Sequence, residues 1–398
     1  MTAEHPPRVN ELVESLKNPR AASAYGIDTR ELRHNAFFHF LICSKVGETL
    51  LQEIAKELTQ KSGAEHHWQL LADEKAVIKK ADCNRSGGAG RPDERIECTV
   101  GSEKQCVLLV EMKLRAPGGG SQLEDYMSQE ANSSPGSTVV GLLLRIPGKD
   151  RLTGCTHPQL NGQMFASCIE AAMRDRGDEL PEEASWLVRD YLATLRFLDL
   201  LDETIVAEGQ WLSDFYYAKS RLDGDGPLRQ WLNENWSWVC VRIVREVDYL
   251  IAKTNKDWYP SAYGERDTAN VEMEPESLKL HLDASDDAPG ASLYFQWKLG
   301  VGLDLRSAVR HYQSPPPKEV MAIEVQLMNE LCEKARNILP SAWQHRGRTG
   351  RSRMVARLAN TSHDVNTIVV TIQQEVEPLI GPLTSVVEEQ RKVERKPP

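Results

Sequence analysis

Two opposite charges close an otherwise apolar stretch of this sequence: Glu111 and Lys113 follow Cys106-Val107-Leu108-Leu109-Val110. A strand that is apolar on both faces belongs in the middle of a covered sheet. Side chains alternate along a strand, so Glu111 and Lys113 share one face, and Leu108, Val110, Met112 and Leu114 share the other. Charge in such a place needs a partner, because unpaired buried charge is expensive. Asp93 stands eighteen positions before Glu111, directly after Pro92. A hairpin-like return of the chain over that distance brings it beside Glu111. Converging carboxylates raise each other's pKa unless a cation neutralises them. A hard cation with oxygen ligands does this; Mg²⁺ is the expected ion, with Mn²⁺ as a substitute. Such an ion acidifies a bound water and stabilises a pentavalent phosphate, while Lys113 orients the water or neutralises developing charge. Plainer readings stay open: a Pro-Asp turn residue at position 93, and an edge strand carrying an ordinary ion pair.

The surrounding sequence must supply elements that hold these groups. From Asp28, "DTRELRHNAFFHFLICSKVGETLLQEIAKELTQ" places Leu32, Phe37, Phe40, Leu41, Leu50, Leu51, Ile54 and Leu58 at helical spacings. "NRSGGAG" and "APGGGS" read as loops. Strands are expected near Asp93–Val100 and Cys106–Leu114, joined by "GSEK", and at Thr138–Ile146. Ser121 and Glu124 form a capping-box pattern that opens a helix between the second and third strands. Helix–strand–strand–helix–strand over residues 28–150 is an α/β core, after a lead-in at residues 1–27.

Pro92-Asp93 and then Glu111-Met112-Lys113, at the end of a hydrophobic strand, resemble the motif of the PD-(D/E)XK nuclease superfamily. Glu31 looks like the first-helix glutamate that completes the metal site in one bacterial branch of it. Gln122 and Tyr126 look like the Gln-x-x-x-Tyr of the helix after the ExK strand. The resemblance covers about residues 28–150. It implies a restriction-endonuclease-like core, a mixed sheet flanked by helices. It also implies a Mg²⁺-dependent phosphodiesterase in which Asp93, Glu111, Lys113 and Gln122 are catalytic. Glu31, Asp93 and Glu111 would hold the metal, and Tyr126 would meet nucleic acid. By analogy alone, the setting would be phage defence or a mobile element. Glu31 reads equally as the capping-box partner of Asp28, and Gln122 and Tyr126, four apart on one helix face, as surface polar packing. The strand after Asp93 is more charged than the family pattern. Glu97 shares a face with Asp93 and competes with it for the role of ligand.

The rest of the chain reads as a helix-rich α+β domain over residues 155–398, with a β-hairpin near 277–299. Its aromatic run from Trp211 to Trp238 suits core packing, with base stacking as the sharper alternative. Arg346, Arg348, Arg351, Arg353 and Arg357 lie in a stretch without acids, a phosphate-contacting segment or a solvated basic loop. The chain has 398 residues and a net charge of −10, which argues against non-specific coating of nucleic acid but not against a local basic groove. No apolar run reaches the roughly 18 residues of a membrane helix, and the N-terminus lacks an apolar signal core. A cytoplasmic protein is expected. The eight cysteines form no CxxC pair, so neither a zinc site nor a disulfide framework is expected. The expected function is metal-dependent hydrolysis of nucleic acid, DNA before RNA, without a membrane partner and with a homodimer allowed. The rival is an inactive module of the same fold that binds nucleic acid or protein.

Overall fold

The apolar run before Glu111 forms the buried middle strand of a sheet: Val107, Leu108, Leu109, Val110, Glu111 and Met112 are each 4% exposed or less. A computed structural model of the chain describes residues 6–17, 31–62, 66–74, 76–84, 91–101, 104–114, 120–146, 157–218, 226–258, 260–265, 268–281, 290–309, 318–345 and 352–394. The chain divides into two compact units, Met1–Thr204 with Leu222–Leu228, and Ile205–Arg221 with Arg229–Pro398. The protein is mixed α/β.

The first unit opens with helices α1 (Pro7–Lys17), α2 (Glu31–Cys43), α3 (Gly47–Ser62) and α4 (His66–Asp73). Strands β1 (Ala76–Cys83), β2 (Glu94–Val100) and β3 (Lys104–Leu114) follow, then α5 (Gly120–Ser133), β4 (Thr138–Ile146), β5 (Gln159–Asn161) and α6 (Gly162–Arg176). The next helix, α7 (Glu182–Tyr217), belongs to this unit as far as Thr204. The sheet runs in spatial order β1-β2-β3-β4-β5. β1, β2 and β3 pair antiparallel, whereas β3 with β4 and β4 with β5 are parallel. A parallel return needs a crossover of a dozen or more residues, and α5 provides it.

Helices cover both faces. Leu123 and Tyr126 of α5 pack on Val107, Leu109 and Leu143. The opposite face, with Ile96, Cys98, Leu108, Val110 and Met112 at 2% exposure or less, receives the N-terminal helices; α2 packs on β1 and β3. Each large side chain so buried contributes about 1.5–3 kcal/mol, which explains why this strand tolerates charge only at its end. Two devices bring the helices close. On one face Phe38 of α2 meets Phe165 of α6, with ring centroids 5.6 Å apart. On the other, Gly141 of β4 leaves room for α5: a Cβ there would stand 2.5 Å from Met127 Sδ and 3.2 Å from Leu123.

The second unit holds α8 from Arg229 onward (Gly226–Thr254 in full), β6 (Pro260–Glu265), β7 (Thr268–Met273), β8 (Lys279–His281), β9 (Gly290–Lys298) and β10 (Gly302–Val309). It continues through α9 (Lys318–Arg336), β11 (Gln344–His345), β12 (Ser352–Ala359) and α10 (Val365–Glu394). Its sheet has seven strands, in order β11-β12-β10-β9-β7-β6, with β8 against β9. The β8–β9 pair lies where a hairpin is expected. The other strands go beyond the helix-rich reading, because charges inside them break the alternation that marks a strand. Asp304 of β10 and Arg357 of β12 face each other across the ladder and neutralise one another. Among the described residues no helix is long and apolar enough to cross a membrane.

Gly141→Val is expected to push α5 off the sheet and to cost about 1–3 kcal/mol, the usual penalty of overpacking. Urea denaturation reads this directly; an unchanged midpoint would show that α5 does not depend on the missing side chain.

Candidate active site

β2 and β3 pair in a register that places Glu94 opposite Val110. Asp93 is the next residue out, beyond the last backbone pair of the ladder, and its side chain reaches β3 beside Glu111. The Asp93 side chain closes the rung: its Oδ2 accepts a hydrogen bond from the Met112 amide at 2.7 Å. Glu97 pairs with Arg95 and lies opposite Val107, four residues before Glu111, so Asp93 and not Glu97 is the carboxylate at this strand end.

The Lys113 ammonium donates to Glu111 Oε1 at 2.5 Å and reaches Gln122 Oε1 at 3.4 Å. Gln122 in turn donates through Nε2 to Tyr126 Oη at 2.6 Å, the two residues one helical turn apart on α5. Glu111 is 2% exposed and Tyr126 6%, whereas Gln122 is exposed. Asp93, Glu111, Lys113, Gln122 and Tyr126 are therefore brought together at one end of β3. The backbone of Glu31 opens α2, but its side chain lies outside the described residues.

Burial pushes the Asp93 carboxyl above its ordinary value. The Met112 amide, the Lys113 charge and the nearby Asn35 amide pull it back only in part. Asn35 is a residue that reading the sequence missed. It sits on α2, 2% exposed, close enough to Asp93 for its amide to favour the ionised carboxylate. The signal was the polar pair His34-Asn35 inside an apolar helix. His34 serves the packing of α2 instead. Its Nδ1 meets the Tyr191 hydroxyl at 2.9 Å, and Phe37 stacks on the same ring at 4.0 Å. These contacts hold α2 to α7 and fix where Asn35 stands.

A cleft of about 730 Å³ shares Pro92 and Tyr126 with this strand end and is otherwise lined by groups such as Lys80, Arg91, Arg95 and Gln129. Asp82 and Glu130 line it as well, and they pair with its cations, Asp82 with Lys80 and Glu130 with Arg95, so its walls carry both signs of charge. The arginines expected to hold phosphates are distributed differently. Arg346, Arg348 and Arg351 lie outside the described residues, as does the side chain of Arg353, whose backbone pairs in β12. Arg357 is no phosphate ligand: its guanidinium grips Asp304 at 2.5 and 2.9 Å, and Asp304 is wholly buried. Nor is the aromatic run an open platform, since Trp211 stacks on Phe215 and Tyr216 on Trp236. Comparison of the chain with family models, curated proteins and solved structures returns no match.

A carboxyl whose pKa is raised by folding lends stability below its unfolded value, and that stability is lost as pH rises through the folded one. Asp93→Asn is therefore expected to raise the denaturation midpoint of metal-free protein at neutral pH and to leave it unchanged in acid below the carboxyl range. A pH-independent difference would contradict burial as the cause. Arg357→Ala leaves Asp304 buried without its counter-charge and is expected to cost on the order of 3–5 kcal/mol in chemical denaturation. A loss below about 1 kcal/mol would return Arg357 to the set of free basic groups.

Proposed function

We propose that this chain is a metal-dependent nuclease of the PD-(D/E)XK type, hydrolysing phosphodiester bonds in nucleic acid, DNA before RNA. One observation carries the reading: Asp93, just past the last β2–β3 pair, bonds the Met112 amide next to Glu111, and Lys113, Gln122 and Tyr126 are linked to Glu111 in a chain of hydrogen bonds. The element order supports it as well. Helices precede three antiparallel strands, and a crossover helix then leads to a parallel fourth, as expected of a restriction-endonuclease-like core.

The donor set fits a hard divalent cation. Asp93 and Glu111 offer carboxylate oxygens, no thiol belongs to the set, and burial makes ionised Asp93 costly until a positive charge offsets it. Asp93 and Glu111 would hold Mg²⁺ or Mn²⁺, with Glu31 as a further ligand, and the ion would supply Lewis acidity to water and phosphate. The Lys113 ammonium is hydrogen-bonded to both Glu111 and Gln122, so it is placed to donate to a water or to a phosphate oxygen. Gln122 keeps that ammonium turned toward the strand end, and Tyr126 sets the orientation of the Gln122 amide. The neighbouring cleft, with Arg91 on its wall, is where a strand of nucleic acid would lie. Arg346, Arg348, Arg351 and Arg353 would add phosphate contacts of their own.

Purified protein is expected to cut single- or double-stranded DNA with Mg²⁺ or Mn²⁺. Glu111→Ala and Lys113→Ala should each lower the rate at least about a hundredfold, the scale of removing one preorganised electrostatic group. Wild-type protein that cuts neither DNA nor RNA with either ion, yet binds them, would establish the inactive binding module instead.

A further inference from the structure

Next to the Asp93 strand end, three metal-ligating groups converge. Cys83 ends β1 and Glu94 opens β2, and the two are a directly opposed pair in the ladder. His39 descends onto them from α2, its Nδ1 2.7 Å from Glu94 Oε1. One ligand atom from each of His39, Cys83 and Glu94 lies within 4.8 Å of the other two. Tetrahedral coordination at ordinary zinc bond lengths needs ligand atoms roughly 3.4–3.8 Å apart. Small side-chain rotations therefore suffice to admit an ion, the His39–Glu94 contact opening and the sulfur closing in.

We propose that His39, Cys83 and Glu94 form a transition-metal site, taken by Zn²⁺, distinct from the Asp93–Glu111 site. Three features of the structure support it. Thiolate, imidazole and carboxylate together select a borderline ion and not Mg²⁺. Glu94 is 1% exposed, and its Oε2 has no close hydrogen-bond partner among the described residues, so a buried carboxylate oxygen stands ready for a cation. His39 and Cys83 are partly exposed, which gives the ion an entry path. The scattered cysteines discouraged a zinc reading because a spacing rule sees only neighbours in sequence. Here the ligands come from one helix and two strands.

Cys43 adjoins the group without completing it. It lies one turn after His39 on α2, with its sulfur 3.6 Å from His39 Nε2, and it is exposed. A surface His39–Cys43 pair is the competing way for this region to capture metal, and the experiment separates the two.

The site would also brace its neighbour. Glu94 follows Asp93 directly, and His39 stands one turn after Asn35 on α2, so an ion joining His39 to Glu94 ties together the two elements that position Asp93 and Asn35. Metal binding at His39, Cys83 and Glu94 does not require nuclease activity.

Full-length protein stripped with chelator and then dialysed against Zn²⁺ or Co²⁺ provides the test. One equivalent is expected to bind, with a sulfur-to-metal charge-transfer band for Co²⁺ and a raised melting temperature for Zn²⁺. Cys83→Ser and Glu94→Gln should each weaken Zn²⁺ affinity at least about a hundredfold, the upper end of what even outer partners of a metal cost. Cys43→Ser and Asp93→Asn should leave both affinity and the band intact. Cys83→Ser is nearly isosteric, and its melting temperature without metal verifies that it folds. Absence of stoichiometric binding by wild type overturns the proposal. So does loss of the band in Cys43→Ser with retention in Cys83→Ser, which assigns the metal to the surface pair. Loss of Zn²⁺ in Asp93→Asn alone would place the ion in the carboxylate site and overturn it too.

Discussion

The pairing of Glu94 with Val110 is the constraint on which the first unit depends. Side chains alternate, so a slip of one residue would turn every group on β2 to the other face. Asp93 would then lose its place beside Glu111 and Met112, and Glu94 would leave His39 for the α5 side. The slip is opposed by Ile96, Cys98 and Val100, which bury on one face while Arg95, Glu97 and Thr99 stay partly exposed on the other. Hydrophobic burial on one side of β2 thus sets the chemistry available on the opposite side.

α2 is the second positioning element of that strand end. Asn35 and His39 are one turn apart, the first near Asp93 and the second on Glu94. Its placement comes from contacts that carry no chemistry of their own: Phe37 and His34 on Tyr191, and Phe38 on Phe165. Aromatic packing of this kind contributes about 0.5–1.5 kcal/mol per pair beyond burial. The rigidity it confers matters more here than the energy, because a carboxylate site works only if its neighbours hold their places.

The second unit uses charge differently. Asp304 is fully buried, and two hydrogen bonds from Arg357 compensate it across the β10–β12 ladder. Arg306 donates to Tyr294 and Gln296 on the adjacent strand. These are internal polar links of a sheet. They use up groups that, counted along the sequence, look like a basic surface.

Local alternation and spacing already determined much of the first unit. The apolar run ending in Glu111 and Lys113 favoured a covered strand over an edge strand, and the four-residue interval from Gln122 to Tyr126 suited one helix face, so β2, β3, α5 and β4 were legible in advance. Those features depend on residues close in sequence, whose geometry repeats with fixed periods. What joins distant segments was not legible. Asn35 gains its place through the docking of α2, Arg357 loses its freedom to a strand fifty-three residues away, and His39, Cys83 and Glu94 meet only because a helix lies across one rung of a ladder. Long-range register and helix docking are set by the burial of whole faces at once, and no local period in the sequence encodes which faces meet.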